Sequence, residues 1–148
     1  IEFCYEKGIK IVLNPAPAAA VPMEIIDKVT YVTPNEHEAV LIFGDKLSTE
    51  DLLRKYPEKL VITQGSRGVS TCLKDGWILN IPARKAQVVD TTGAGDTLNG
   101  AFSVQIAEGK AIEDALTYAN VAASLSTEKF GAQTGMPTAE EVETELKK

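Results

Sequence analysis

The sequence comprises 148 residues, 44% hydrophobic and 24% charged, which supports a packed core and argues against a disordered chain. Its formal net charge of −6 disfavours a general nucleic-acid or anionic-membrane binder, and no apolar run approaches the roughly 18 residues of a membrane span. The two cysteines, Cys4 and Cys72, lack metal-binding or CxxC spacing and read as buried thiols of a reducing, cytoplasmic setting.

In chain order, "IEFCYEKGIKIVLN" reads as the tail of a helix, a cap at Gly8 and a short strand over Lys10 to Asn14. It has no initiating Met and enters in mid-structure, which leads us to expect part of a longer polypeptide. The Pro-rich "PAPAAAVP" is a loop, "MEIIDKV" a short helix and "TYVT" a second strand ending at Pro34. Asn35 then caps a helix with an acidic first turn that stops at Gly44, and Ser48 with Asp51 forms a capping-box pattern opening another. "KLVITQGSRG" is a strand running into a Gly-containing turn, and "VSTCLKDGWILNIP" a β-hairpin about Lys74-Asp75-Gly76, with Trp77 as hairpin packing. Two small-residue-rich helices divided by Gly109 follow, whose alanines suit close packing on a sheet. Thr138 and Glu141 open a polar terminal helix.

Strands alternating with helices predict an α/β fold with a mostly parallel sheet flanked by helices. Ligands of such sheets sit at the carboxyl ends of strands, and the loops after Asn14, Thr33, Thr63 and Val89 all leave such ends.

The densest chemistry lies in "VVDTTGAGDTLNGAF", a glycine turn between an apolar pair and a helix start. Amides of Gly93, Ala94, Gly95 and Asp96 pointing into one concavity would stabilise a transferring phosphoryl group. Asp96 would repel that anion unless the chemistry uses it, for instance as the base that takes a proton from an attacking hydroxyl. The alternative is a tight strand-to-helix connection with Asp96 as its cap, and from these residues alone the two readings stand even. Neither GxxxxGK[ST] nor a strand followed by GxGxxG is present, which removes the P-loop and the dinucleotide fingerprint. His37, the sole histidine, reads as an exposed helix residue, and Arg67 as a surface charge.

The stretches "LNPAPA", "TPNEHEA", "ITQGSRGV", "DTTGAGDTLNG", "YANVAASLS" and "FGAQTGMP" run in one order from Leu13 to Pro137. Together they resemble the ribokinase-like (PfkB) family of carbohydrate kinases. The resemblance implies that Asp96 is the catalytic base, also touching the acceptor sugar, with Gly93, Ala94 and Gly95 completing an anion hole. It implies that Asn35, Thr63, Gly65, Ser66, Gly68 and Asn120 bind ATP, and that Glu38 helps hold Mg²⁺ with its water shell, as suits an oxygen-seeking ion beside phosphates. A monovalent cation, K⁺, would be held by Asp90, Thr92, Ser126, Lys129, Gly131 and Gly135, where Gly135 departs from a place at which a hydroxyl often occurs.

By the same resemblance, residues 1–148 are the C-terminal nucleotide-binding and catalytic part of a single ribokinase-like domain. The N-terminal half, with its "GGKGAN"-like sugar motif and lid, is not recognisable here. The expected reaction is ATP-dependent phosphorylation of a sugar hydroxyl, with ribose as first choice. Adenosine, fructose phosphate or a keto-deoxy sugar acid are alternatives, as is a noncatalytic nucleotide-binding module. The expected partners are a sugar and ATP, with neither nucleic acid nor membrane, in a homodimer when full length.

Overall fold

The computed structural model describes residues 1–148. Its elements are α1 (Glu2–Glu6), β1 (Val12–Leu13), α2 (Met23–Lys28), β2 (Tyr31–Val32), α3 (Glu36–Phe43), α4 (Thr49–Lys55), β3 (Val61–Thr63), β4 (Val69–Cys72), β5 (Ile78–Ile81), α5 (Ala94–Ala107), α6 (Ile112–Ser126) and α7 (Ala139–Leu146). They fall into two units, Ile1–Gln64 with Ser70–Asn80, and Gly65–Val69 with Ile81–Lys148.

The first unit is built on parallel strands. β1 pairs with β2 in the register Val12 to Tyr31 and Leu13 to Val32, and single parallel bridges from Val32 to Leu60 and from Asn35 to Thr63 extend the arrangement toward β3. β4 then folds back: Glu58 N donates to Cys72 O at 2.6 Å, and Leu73 N to Trp77 O at 2.8 Å starts the hairpin into β5. Helical crossovers cover both faces of such strands, in keeping with the burial of Val61 and Ile62, and β4, central in the order β3-β4-β5, is buried at every residue. Ile26, Val32, Leu53, Leu60 and Ile62, each at most 1% exposed, centre this core.

Local signals fix the helix ends. Asn35 and Glu38 make a reciprocal capping box at α3, and Gly44, with φ of 81°, closes it. At α4, Ser48 Oγ accepts from Asp51 N at 3.1 Å and donates to Asp51 Oδ2 at 2.7 Å, so the return arm joins two side chains instead of reaching the backbone.

In the second unit Leu98, Phe102 and Ile106 recur every fourth residue of α5 and are buried, as are Ala115, Leu116, Ala119 and Ala122 of α6. The sequence predicts these alanine-rich helices against a sheet; within the unit α6 packs against α5 and α7, because small side chains let helices approach closely too. At α7, Thr138 Oγ1 accepts from Glu141 N and Glu141 Oε2 accepts from Thr138 N, the predicted capping box.

Three expectations fail in detail. Trp77 is 67% exposed, so its ring buries little in the hairpin; the turn is closed by backbone bonds and by Trp77 N donating to Asp75 Oδ1. Cys4 is half-buried on α1, a helix none of whose residues is buried, whereas Cys72 is fully buried. Val88 and Val89 belong to no strand and are each 62% exposed, two residues being too few to define one alone. Phe3, Tyr5 and Ile9, on and after α1, are likewise more than half exposed.

Glu145 of α7 accepts from Arg84 Nε and from Lys148 Nζ, each at 2.7 Å. Lys148 first and Arg84 second hold its carboxyl below the ordinary carboxylate range. A carboxylate whose acidity is raised by folding stabilises the fold above its unfolded pKa, and that contribution disappears as pH falls through the lower, folded value. Glu145→Gln should therefore lower the melting temperature most near neutrality, with the gap to the parent closing as pH drops below about 4.5. Thermal unfolding followed by circular dichroism from pH 7 to pH 3 measures it.

Candidate active site

In the first unit the structure brings together Asn35, Glu38 and Thr63. The backbones of Asn35 and Thr63 bridge in parallel at the carboxyl ends of β2 and β3, and Thr63 N donates to Pro34 O at 2.9 Å. Glu38 is 6% exposed, and its Oε2 accepts from Asn35 N at 2.8 Å, while Asn35 Oδ1 accepts from Glu38 N at 2.9 Å. The cap thus fixes the Glu38 carboxylate and turns the Asn35 amide so that Nδ2 is its remaining polar end. No group of three or more His, Cys, Asp or Glu side chains assembles into a metal site. One fixed carboxylate suits an ion such as Mg²⁺ that keeps most of its waters and takes its other oxygens from phosphates.

In the second unit the turn Gly65–Arg67 is a 3-10 helix closed by Gly68 N donating to Gly65 O at 3.0 Å. Gly65 and Ser66 are exposed, but Gly68, at φ of 93°, is buried against the segment 81–83. A Cβ on Gly68 would collide with Ile81 O and come within 2.6 Å of Ala83 N, so only glycine fits. Asn120, 5% exposed on α6, donates from Nδ2 to Pro82 O at 2.8 Å and to Ile81 O at 3.4 Å. The amide nitrogen expected near a nucleotide is therefore engaged with the strap beneath the glycine turn.

The N-terminus of α5 is capped by Gly93, at φ of 79°, with no side-chain bond to its amides. Ala94 N leans back to Thr91 O at 3.2 Å, which draws one of the four expected donors away from the anion hole. Gly95 and Asp96 are exposed in the first turn, where helix amides lack internal acceptors and the dipole is positive. Asp96 occupies the third helical position, so the chain direction itself sets its carboxylate beside those amides. Behind them, Thr97 Oγ1 donates to Gly93 O at 3.0 Å and steadies the turn.

The residues expected around a monovalent cation also converge. Asp90 Oδ1 accepts from Thr92 N and Oδ2 from Gly131 N, both at 2.9 Å, so one carboxylate ties two loops. The Thr92 hydroxyl, then the amides of Thr92 and Gly131, hold this carboxyl below the ordinary range. At and just beyond the C-terminal end of α6, Ser126 O, Gly131 O and Lys129 O lie 2.7, 2.8 and 3.5 Å from the point a Cβ of residue 135 would occupy, and Gly131 O also accepts from Gly135 N at 2.8 Å. The Ser126 hydroxyl is turned away, donating to Ala123 O at 2.8 Å. A cradle of carbonyl oxygens with an anionic carboxylate on its rim is the donor set of a hard, weakly charged cation. With the backbone placed as it is here, a Cβ on residue 135 would come within 2.7 Å of Ser126 O and 2.8 Å of Gly131 O, so this conformation has room only for glycine.

Sequence reasoning missed Arg84, Glu128 and Glu145, which join this region across 44 and 61 residues of chain. No local spacing connects them. His37 is exposed, as expected.

The architecture is that of α/β carbohydrate kinases. Over 99% of its length the chain superposes, at TM-score 0.88 and 29% identity, on half of an Arabidopsis thaliana ribokinase complexed with ribose and ATP (50% of that protein). The sequence matches the pfkB family carbohydrate kinase pattern over residues 1–139, and the chain belongs to that family. It is 51% identical over 147 residues to a ribokinase of Lactococcus lactis, covering 99% of this chain and 48% of that protein. It is also 53% identical over 142 residues to one of Bacillus subtilis, covering 96% and 48%. The chain spans about half the length of the curated relatives it matches.

The glycines of the second unit should separate by what surrounds them. Gly100, inside α5 with open space around its Cα, should accept alanine with a gain of up to about 1 kcal/mol from helix propensity. Gly135→Ala should cost roughly 1–3 kcal/mol because its methyl enters the carbonyl cradle. Urea unfolding of the two variants beside the parent chain gives the ranking.

Proposed function

We propose that the chain is the nucleotide-binding and catalytic part of an ATP-dependent sugar kinase acting on ribose at its 5-hydroxyl. The observation that carries this is the α5 entrance, a glycine-capped helix start with no side-chain cap and an aspartate in its first turn, inside a fold shared with ribokinases.

In this reading Asp96 accepts the proton of the acceptor hydroxyl as its oxygen attacks the terminal phosphorus of ATP. The amides of Gly95 and Asp96, with the positive end of α5, stabilise negative charge gathering on the transferring phosphoryl group. Gly93 allows the left-handed cap that aims those amides. By the family resemblance, Asn35 and Thr63 of the first unit and Gly65, Ser66, Gly68 and Asn120 of the second would each contribute to ATP binding. Mg²⁺, held through Glu38 and its own waters, would neutralise phosphate charge. K⁺, held by the carbonyls of Ser126, Lys129 and Gly131 near Asp90 and Thr92, would fix the loop that abuts Gly93.

That last link rests on a contact: a Cβ on Gly93 would lie 3.1 Å from Ala132 Cβ and 3.2 Å from Ala132 O, so the 131–132 loop sets how the cap can turn. We further propose that the working enzyme is a cytosolic homodimer that engages sugar and ATP without nucleic acid or membrane. The acidic net charge of −6 and two free thiols support the setting. No helix is long and apolar enough to cross a membrane.

The test is a chimera in which the N-terminal half of the Bacillus subtilis relative precedes this chain. The chimera should phosphorylate ribose with ATP, the 148-residue chain alone should show negligible turnover, and Asp96→Asn in the chimera should reduce kcat by roughly 10²–10⁴-fold with little change in ATP affinity. Turnover in the Asn variant close to the parent value overturns the assignment of the base.

A further inference from the structure

We propose that Arg84 is a positioning residue for the monovalent-cation cradle, holding the 126–131 carbonyl loop in register with Asp90 by spanning Glu128 and Glu145. The inference rests on the cation reading above and adds a residue to which the resemblance gives no role.

The geometry is a set of stitches between two stretches of the second unit, residues 84–90 and 127–131. Arg84 Nη1 donates to Glu128 Oε1 at 2.8 Å, and Arg84 Nε donates to Glu145 Oε1 at 2.7 Å. Glu128 Oε1 also accepts from Gln87 N at 3.3 Å. Thr127 O then accepts from both Val89 N at 2.7 Å and Asp90 N at 3.1 Å, and Asp90 Oδ2 takes Gly131 N. Residues 84–90 are thereby aligned with 127–131 by bonds that begin at the guanidinium and end at the cradle rim. Glu128 sits between Ser126 and Lys129, two of the cradle's carbonyl donors, so a shift of its backbone moves both oxygens.

From the far side Lys129 Nζ pairs with Glu141 Oε1 at 2.9 Å, so α7 supplies two carboxylates one turn apart that pin both stretches. Only a planar fork reaches two carboxylates on different elements from two of its nitrogens; an ammonium on a flexible stem would hold one and release the other. The side chains of Arg84, Glu128 and Glu145 are 25%, 28% and 16% exposed, sheltered enough for the network to keep one geometry. A cation held by carbonyls depends on that geometry, because neutral oxygens attract it only when several face one point.

The experiment measures thermal unfolding of the 148-residue chain in increasing KCl, with choline chloride keeping ionic strength constant. A bound ion raises the melting temperature along a saturable curve whose midpoint reports its affinity. The parent should show a rise specific to K⁺. Arg84→Met should move the midpoint to roughly 10-fold higher KCl, and Arg84→Lys should fall between. Arg54→Met, which removes an exposed pair with Glu50 on α4, should leave the midpoint at the parent value. A parent without any K⁺-specific rise overturns the cation site itself and this proposal with it. A parent that responds, beside an Arg84→Met chain whose melting temperature is lower by the same amount at every KCl concentration, leaves the site standing and overturns the role of Arg84. If Arg84→Met does not fold, Glu145→Gln and Arg84→Lys decide: an unchanged midpoint in both overturns the proposal.

Discussion

The second unit depends on one carboxylate. Asp90 accepts the amide of Thr92 on its own loop and that of Gly131 across 41 residues of chain, and these two bonds set where the loop after α6 can lie. Its acidity is raised by the donors that it joins, so at neutral pH it is a fixed anion whose hydrogen bonds are charge-assisted. Gly131 in turn presents its carbonyl to the cradle, and its neighbour Ala132 lies where a Cβ on Gly93 would meet it at 3.1 Å. Electrostatics at one loop and backbone geometry at the start of α5 are therefore mechanically the same thing.

The two ends of the helix pair α5 and α6 are used in opposite senses. The entrance of α5 gathers unbonded amides, and the exit of α6 gathers carbonyls, so donors for an anion and oxygens for a cation arise from the same property of helix termini. No side chain caps the entrance of α5, whereas at the exit of α6 the hydroxyls of Ser126 and Thr127 donate to Ala123 O and Ser124 O of the last turn.

Much of this was legible in the residues, and for identifiable reasons. Asn35 with Glu38 and Thr138 with Glu141 are read from three-residue spacing because a capping box closes within one turn, and the same spacing finds Ser48 with Asp51, where only the forward arm reaches the backbone. The loop glycines betray themselves because Gly68, Gly93 and Gly131 all stand at positive φ. What the sequence conceals is long-range. Nothing around Val88 and Val89 tells that their segment bonds to a loop instead of a strand, and nothing near Asn120 tells that its amide holds Pro82. The link from Arg84 to Glu128 and Glu145 is invisible for the same reason, since charged residues on a polar helix ordinarily face water. The site residues themselves were proposed from motif order, and the geometry adds which of them share a neighbourhood.

The bare aromatic and aliphatic side chains around α1 bear on how the chain behaves in a tube. Phe3, Tyr5 and Ile9 each leave more than half of their apolar surface bare on a molecule whose net charge of −6 keeps copies apart only through long-range repulsion. Ions that shorten the reach of that repulsion leave the adhesive contacts intact, so colloidal stability is governed by the buffer as much as by the fold.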